Sequence, residues 1–409
     1  MGTFLRACIA SSLVLGSVGV VANAASAPVA SLSVGENAFW EGTVRPADPN
    51  GTRIYLLAVE EPAEQLRIAL DRREYAPSLE VYAPNGTEIA VTGGWYGLEA
   101  FVDDPVPGTW TIISRNAVGT LPFRLRAQLE GPPPASPTVA VPELPNLRMV
   151  PPFEFTFRSP PAGYVVSTQG LGPNCSAQEI VETAARRCLR FSLGPANTGD
   201  GPLLVRFAPL EGLVASGTAY QVIYDSSGGT TERPAGTFEY HKTHMHYHHS
   251  GFGKLELLRV TDGETGAMTP AGEGPKQGFC TGDVVMFDWF GFTQPREPVD
   301  SSCVDEAAST GMNRPIGTTM ALNTGWADLY SWVQDGMYVE WGDNGDGLYV
   351  VRAHADSKDW ILETDESDNQ SYALIRIEGT DITVLERGLG SDPWDPAKQL
   401  VDDRFAPTV

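Results

Sequence analysis

The chain is written in short stretches broken by turns. Strand signals such as Arg53–Val59, Gln65–Leu70, Leu203–Phe207 and Tyr349–Ala355 recur along it, short apolar-rich stretches divided by turns. Between them come glycine and proline, 43 and 32 of 409 residues, which interrupt helices and populate turns. Long helical periodicity is scarce. These features together predict an all-β protein.

The length suits two domains. Residues 28–132 carry candidate strands at Phe39–Val44, Arg53–Val59, Gln65–Leu70, Leu79–Tyr82, Glu88–Thr92, Trp110–Ser114 and Phe123–Gln128, with Asn85-Gly86 as a hairpin turn. Short strands at this spacing predict a β-sandwich. SLEVYAPNGTEIA and, further on, VPGTWTI resemble the bacterial pre-peptidase C-terminal domain, a small jelly-roll module. That resemblance implies an accessory module that binds or spaces. A proline-rich stretch, 133–145, has the composition of a stiff linker. The second unit, 146–380, repeats the strand signal from Phe153–Phe157 to Tyr372–Ile377, with a short helix predicted at Gln178–Arg187. Asp343–Gly347 fails the EF-hand spacing and reads as a hairpin turn. Residues 381–409 are acidic and proline-punctuated and form a tail expected either to fold onto the domain or to stay mobile.

The first 27 residues read as a secretory signal: Arg6, an apolar stretch near Ile9–Val21, then small residues fitting cleavage after Ala24 or Ala27. No later stretch is long and apolar enough for a spanning helix. The expected location is extracellular. Loss of the signal removes Cys8 and leaves Cys175, Cys188, Cys280 and Cys303, an even number that predicts two disulfides in an exported chain. Three pairings are open; Cys175–Cys188 with Cys280–Cys303 closes the shorter loops. The formal charge is −23, and −24 once Arg6 is removed. Such a chain should avoid nucleic acid and anionic membranes; its charge either attracts cationic substrates or serves general solubility or adaptation to salt. The oligomeric state is not legible.

Chemistry concentrates in one run. Residues 241–249 read HKTHMHYHH and hold five of the six histidines. His244, His246 and His248 recur with period two, so a strand would turn three imidazoles to one side. Imidazole suits copper, zinc, iron and nickel. The bland alternatives are a histidine-rich surface strand or a tag, and the internal position argues against a tag. A flat strand would spread the outer α-carbons by roughly 13 Å, so a bend or bulge is expected within the run.

Three further segments follow in order. Lys276 lies in KQGFC, Tyr330 in DLY, and residues 363–369 read ETDESDN. Taken with HMHYH, the series resembles the lysyl oxidase family of copper amine oxidases, whose catalytic domain carries HxHxH, KxSFC, DTY and ESDxTNN. Pro145-Asn146-Leu147-Arg148 resembles that domain's PDLV start. The resemblance spans residues 144–378 and implies a lysyl oxidase-like β-sandwich catalytic domain with long loops. It implies copper on His244, His246 and His248, and a lysyl tyrosylquinone made from Lys276 and Tyr330. It also implies a calcium site on Asn146, Glu363, Asp365 and Asn369. Copper(II) beside a phenol drives its oxidation by O2 to a quinone, to which a neutral lysine amine adds; both side chains must lie near the metal, with Lys276 partly desolvated. This chain has Lys254 where the family has a histidine after the triad, and Asn369-Gln370 where it has paired asparagines.

The expected activity is oxidation of a primary amine, free or on a peptidyl lysine, to an aldehyde, with O2 consumed and hydrogen peroxide and ammonia released. Asp328, two residues from Tyr330, is the candidate base. One alternative is a secreted copper-binding protein without turnover, which leaves Lys276 and Tyr330 unexplained. Another is a zinc hydrolase, which lacks a clear carboxylate base beside the triad.

Overall fold

The computed structural model describes residues 29–34, 37–43, 52–71, 77–93, 97–116, 122–130, 140–158, 187–207, 215–241, 246–287, 319–334 and 336–401. The predicted signal peptide, all but the last residue of the predicted helix, His244, Cys175 and Cys303 lie outside them. All regular structure among the described residues is strand, as the strand signals predicted. No helix among them is long and apolar enough to cross a membrane.

The first unit is a sandwich of two five-stranded sheets. One runs Val29–Leu32, Thr52–Val59, Gly108–Asn116, Pro77–Tyr82, Glu88–Ile89; the other runs Asn37–Thr43, Pro122–Glu130, Gln65–Asp71, Gly97–Asp103, Thr92–Gly93. Alternate residues such as Leu66, Ile68, Leu70, Leu125 and Leu129 enter one core with Leu57, Val81, Trp110 and Ile112. Strand Gly97–Asp103 escaped the sequence reading because Gly97, Glu99 and Asp103 dilute its apolar signal.

Four sheets build the second unit around a single large core. The proline-rich stretch does not run free to its end, since Pro142–Glu143 pairs with strand Ser216–Asp225. Of the two outcomes open to the C-terminal tail, its described part folds onto the domain. Asp381–Leu389 pairs along its length with Gln370–Glu378, and Gln399–Leu400 adds a further edge. The reason is visible in DITVLERGL, where Ile382 and Val384 alternate with charged or polar residues and pack on the core. Asp343–Gly347 is a turn but not a hairpin: the flanking strands Tyr338–Glu340 and Gly347–Ala355 pair with other strands.

Candidate metal and cofactor site

The histidine run is not one strand. Thr230–His241 and His246–His249 form an antiparallel pair in which His241 faces His246, so the chain reverses within the run. The expected bend is a full reversal, and His244 belongs to its connection, outside the described residues. Alternation holds on the return strand. Tyr247 points into the core among Phe207, Phe238 and Tyr240, while His246 and His248 take the other face with their Nε2 atoms 2.8 Å apart. Two nitrogens each about 2.0 Å from one ion, in adjacent positions of a tetragonal copper site, would stand at about that separation. The separation is compatible with two imidazole ligands of one ion such as copper, and is equally that of a hydrogen bond between the two rings. His249 is committed elsewhere. Its Nε2–H donates to the Ala235 carbonyl at 2.6 Å, and burial lowers its pKa to about 4.

The Lys276 segment crosses this strand. His249 and Phe279 exchange backbone hydrogen bonds of 2.8 and 3.3 Å. Gly278 lies so close over His248 that a Cβ there would meet the histidine Cβ at 3.0 Å. Lys276, only 3% exposed, reaches inward: its Nζ lies 4.6 Å from the Tyr330 ring centroid and 4.8 Å from that of Phe279. Phe279 stands perpendicular to Tyr330, their ring centroids 5.2 Å apart.

Tyr330 is held by its backbone and hydroxyl together. Leu193 and Tyr330 form an isolated bridge, and Asp328 N–H donates to the Pro195 carbonyl at 2.9 Å. Gly194 permits this closeness, since a Cβ there would fall 1.7 Å from the Asp328 carbonyl oxygen. Fully buried Arg190 donates through Nε to the Trp332 carbonyl at 2.7 Å and through Nη2 to Gln334 O. The Tyr330 hydroxyl donates to the Cys280 carbonyl at 2.8 Å, and the Asp328 carboxyl is near enough to act on it electrostatically. Burial, then the Asp328 charge, push the phenol well above its ordinary pKa. Burial pushes the Asp328 carboxyl up to about 7 against the opposing pull of Tyr330 and Lys276, and nearby Asp283 adds to the rise. Lys276, distant in sequence, thus meets Asp328 and Tyr330 at one site, where Lys276 and Asp328 are buried and Tyr330 is half-buried. Asp283, Phe279 and Arg190 were not foreseen. Asp283 follows Cys280 closely enough to have been considered; nothing in the sequence marks Arg190.

Lys254, at the family's histidine position, is exposed and pairs with Glu256 at 2.6 Å. Cys188 and Cys280 each take part in a disulfide.

The oxygen cluster expected for calcium is assembled in part. Glu363 accepts the Leu147 backbone N–H and the Asn369 Nδ2–H, the latter at 2.7 Å. Asn146 Nδ2 donates to Asp368 at 3.2 Å, and Arg148 pairs with the same carboxylate. Asn146 Oδ1, Asp368 Oδ1 and Asn369 Oδ1 are buried without a hydrogen-bond partner among the described residues, and such oxygens suit a hard cation. Asp365 is corrected: it is exposed and its carboxylate accepts from the Ser367 backbone and hydroxyl. Asp368 joins the cluster instead, and Asp356 and Glu366 bring carboxylate oxygens to Glu363. Burial raises Glu363 to about 9 and Asp356 to about 6.

No protein-family profile and no curated protein matches the chain. Among solved structures it is similar to the pre-peptidase C-terminal domain of collagenase from Bacillus anthracis, at 13% identity over 26% of this chain and 100% of that one, TM-score 0.21. It is also similar to the Bacillus licheniformis lipase BlEst2 in propeptide form, at 10% identity over 52% of this chain and 42% of that one, TM-score 0.21. Neither likeness bears on the chemistry of the pocket.

Proposed function

We propose that this chain is an exported copper- and quinone-dependent amine oxidase related to the lysyl oxidases. The observation that carries the reading is the meeting of buried Lys276 and Asp328 with half-buried Tyr330, on a segment whose Gly278 lies against His248. A copper-binding protein without turnover leaves the placement of the Lys276 amine over the Tyr330 ring unexplained.

His246 and His248, with His244, would hold the copper, and Asn146, Glu363, Asp368 and Asn369 a structural calcium. Bound copper supplies one-electron chemistry with O2, and the mature quinone supplies the carbonyl acceptor for a primary amine. The chain's own residues do the rest. Asp328, poised near neutrality, takes the proton from the Tyr330 oxygen during maturation and holds a carboxylate beside the ring during turnover. Phe279 and the Gly278 crossing keep water from the Lys276 amine. Amine, O2 and water become aldehyde, ammonia and hydrogen peroxide.

The test is aerobic copper loading of the full chain, followed by a redox-cycling quinone stain and peptide mapping. A crosslinked pair of peptides bearing Lys276 and Tyr330 is expected. Recovery of both peptides separate and unmodified refutes the reading, and copper retained in that case leaves the copper-binding alternative.

A further inference from the structure

The first sandwich should face water on the outer side of its second sheet, and there it does not. Along Gln65–Asp71 the even positions Leu66, Ile68 and Leu70 fill the sandwich core. The odd positions Gln65, Arg67 and Ala69 point the other way, yet are 8%, 3% and 2% exposed. Neighbouring strands continue the covered face. Arg126, Ala69 and Glu99 lie in register in one row, and Arg67 faces Phe101 in the next; Arg126 and Glu99 are likewise buried. An isolated module would have to solvate this face.

What covers it is the second unit. Ala69 belongs to the large core of that unit, and Phe101 packs against the same core. The Phe101 ring lies 5.6 Å from that of Trp326. The Arg67 guanidinium sits 5.7 Å from the centroid of the same Phe101 ring. Arg67 in turn donates to Gln65 at 2.6 Å, and Gln65 to Asp103 at 2.7 Å. Trp326 is 2% exposed and lies in the short strand Trp326–Ala327, which runs directly into Asp328 and Tyr330.

We propose that the first unit is docked rather than tethered, and that Phe101 is a positioning residue for the Asp328–Tyr330 segment, acting through Trp326. The packing rests on geometry alone; its consequence for catalysis rests on the proposed function. Phe101 faces away from the sandwich core, so replacing it leaves that core intact.

The experiment is hydrogen exchange on the full-length Phe101→Asp and Phe101→Trp variants. The reporters are the Asp328 and Tyr330 amides, bonded to Pro195 and Leu193 carbonyls. In Phe101→Asp they should exchange faster by about tenfold or more, the size expected when a local packing contact is lost. Amides of Thr52–Val59 and Gly108–Asn116, inside the sandwich, should be unchanged, and Phe101→Trp should behave as wild type. Wild-type exchange at Asp328 and Tyr330 in Phe101→Asp overturns the proposal, as does equal loosening of the sandwich strands. Crosslink yield after copper loading is the second readout. Faster exchange with reduced yield supports both ideas. Faster exchange when even the wild type forms no crosslink keeps the docking and sinks the amine oxidase reading.

Discussion

Glu363→Gln should make the metal-free protein more stable at neutral pH, although it removes a buried carboxylate from a hydrogen-bonded cluster. The carboxyl is 5% exposed, and burial raises its pKa from 4.5 to about 9. The sign follows from linkage. The folded state holds the proton more tightly, so the contribution to stability is fully present below 4.5 and is lost as pH rises toward 9. At about 1.4 kcal/mol per pH unit, the fold has lost about 3 kcal/mol of it by pH 7. Glutamine stays neutral and avoids that loss. It replaces one acceptor oxygen by a donor, and so forfeits one of the bonds from Leu147 N–H and Asn369, costing about 1 kcal/mol. The net gain is about 2 kcal/mol, or roughly 4–8 °C in Tm for a unit of this size. Calcium should reverse the order. It binds the ionised wild type, stabilising it by about 2.7 kcal/mol at a hundredfold excess over Kd, and should do little for the variant. Thermal unfolding between pH 4.5 and 9, with chelator and with calcium, measures both effects. A variant less stable than wild type in chelator at pH 7, or one stabilised equally by calcium, would refute the reasoning.

Four further outcomes are expected. His246→Ala and His248→Ala should each abolish bound copper, whereas His249→Ala should keep it while losing stability; metal analysis that finds full copper in either of the first two removes that residue from the site. Asp328→Asn should lower kcat/KM by about 10²–10⁴ and abolish a rise of activity through pH 7, because the base is the deprotonated form and its pKa is about 7; an unchanged pH profile assigns the base elsewhere. Non-reducing mass mapping should give Cys175–Cys188 and Cys280–Cys303, each worth about 2–4 kcal/mol, and a Cys188–Cys280 linkage would contradict the pairing. Activity on diamines should fall as ionic strength rises, through kcat/KM more than kcat, because a chain of formal charge −23 attracts a protonated amine and salt screens the attraction; a flat or rising kcat/KM excludes steering.

The sequence by itself determined the β architecture and the residue types of the site. Alternation at period two is local, so strands such as Leu203–Phe207 and Gln65–Asp71 were legible wherever one face is apolar. It also placed His246 and His248 on a common face opposite Tyr247. Where a strand carries glycine or acid at alternating positions, as in Gly97–Asp103 and Asp381–Leu389, the signal fell below the composition of a loop. What only the tertiary structure decided is distance. Lys276 and Tyr330 meet because Phe279 bridges to His249 and Leu193 bridges to Tyr330, two long-range contacts that no local pattern encodes. The reversal after His241, the exchange of Asp365 for Asp368, and the covered outer face of the first sandwich have the same origin. Each depends on which surfaces the folded chain brings together, and burial, which sets the charge state of Asp328 and Glu363, exists only once it has done so.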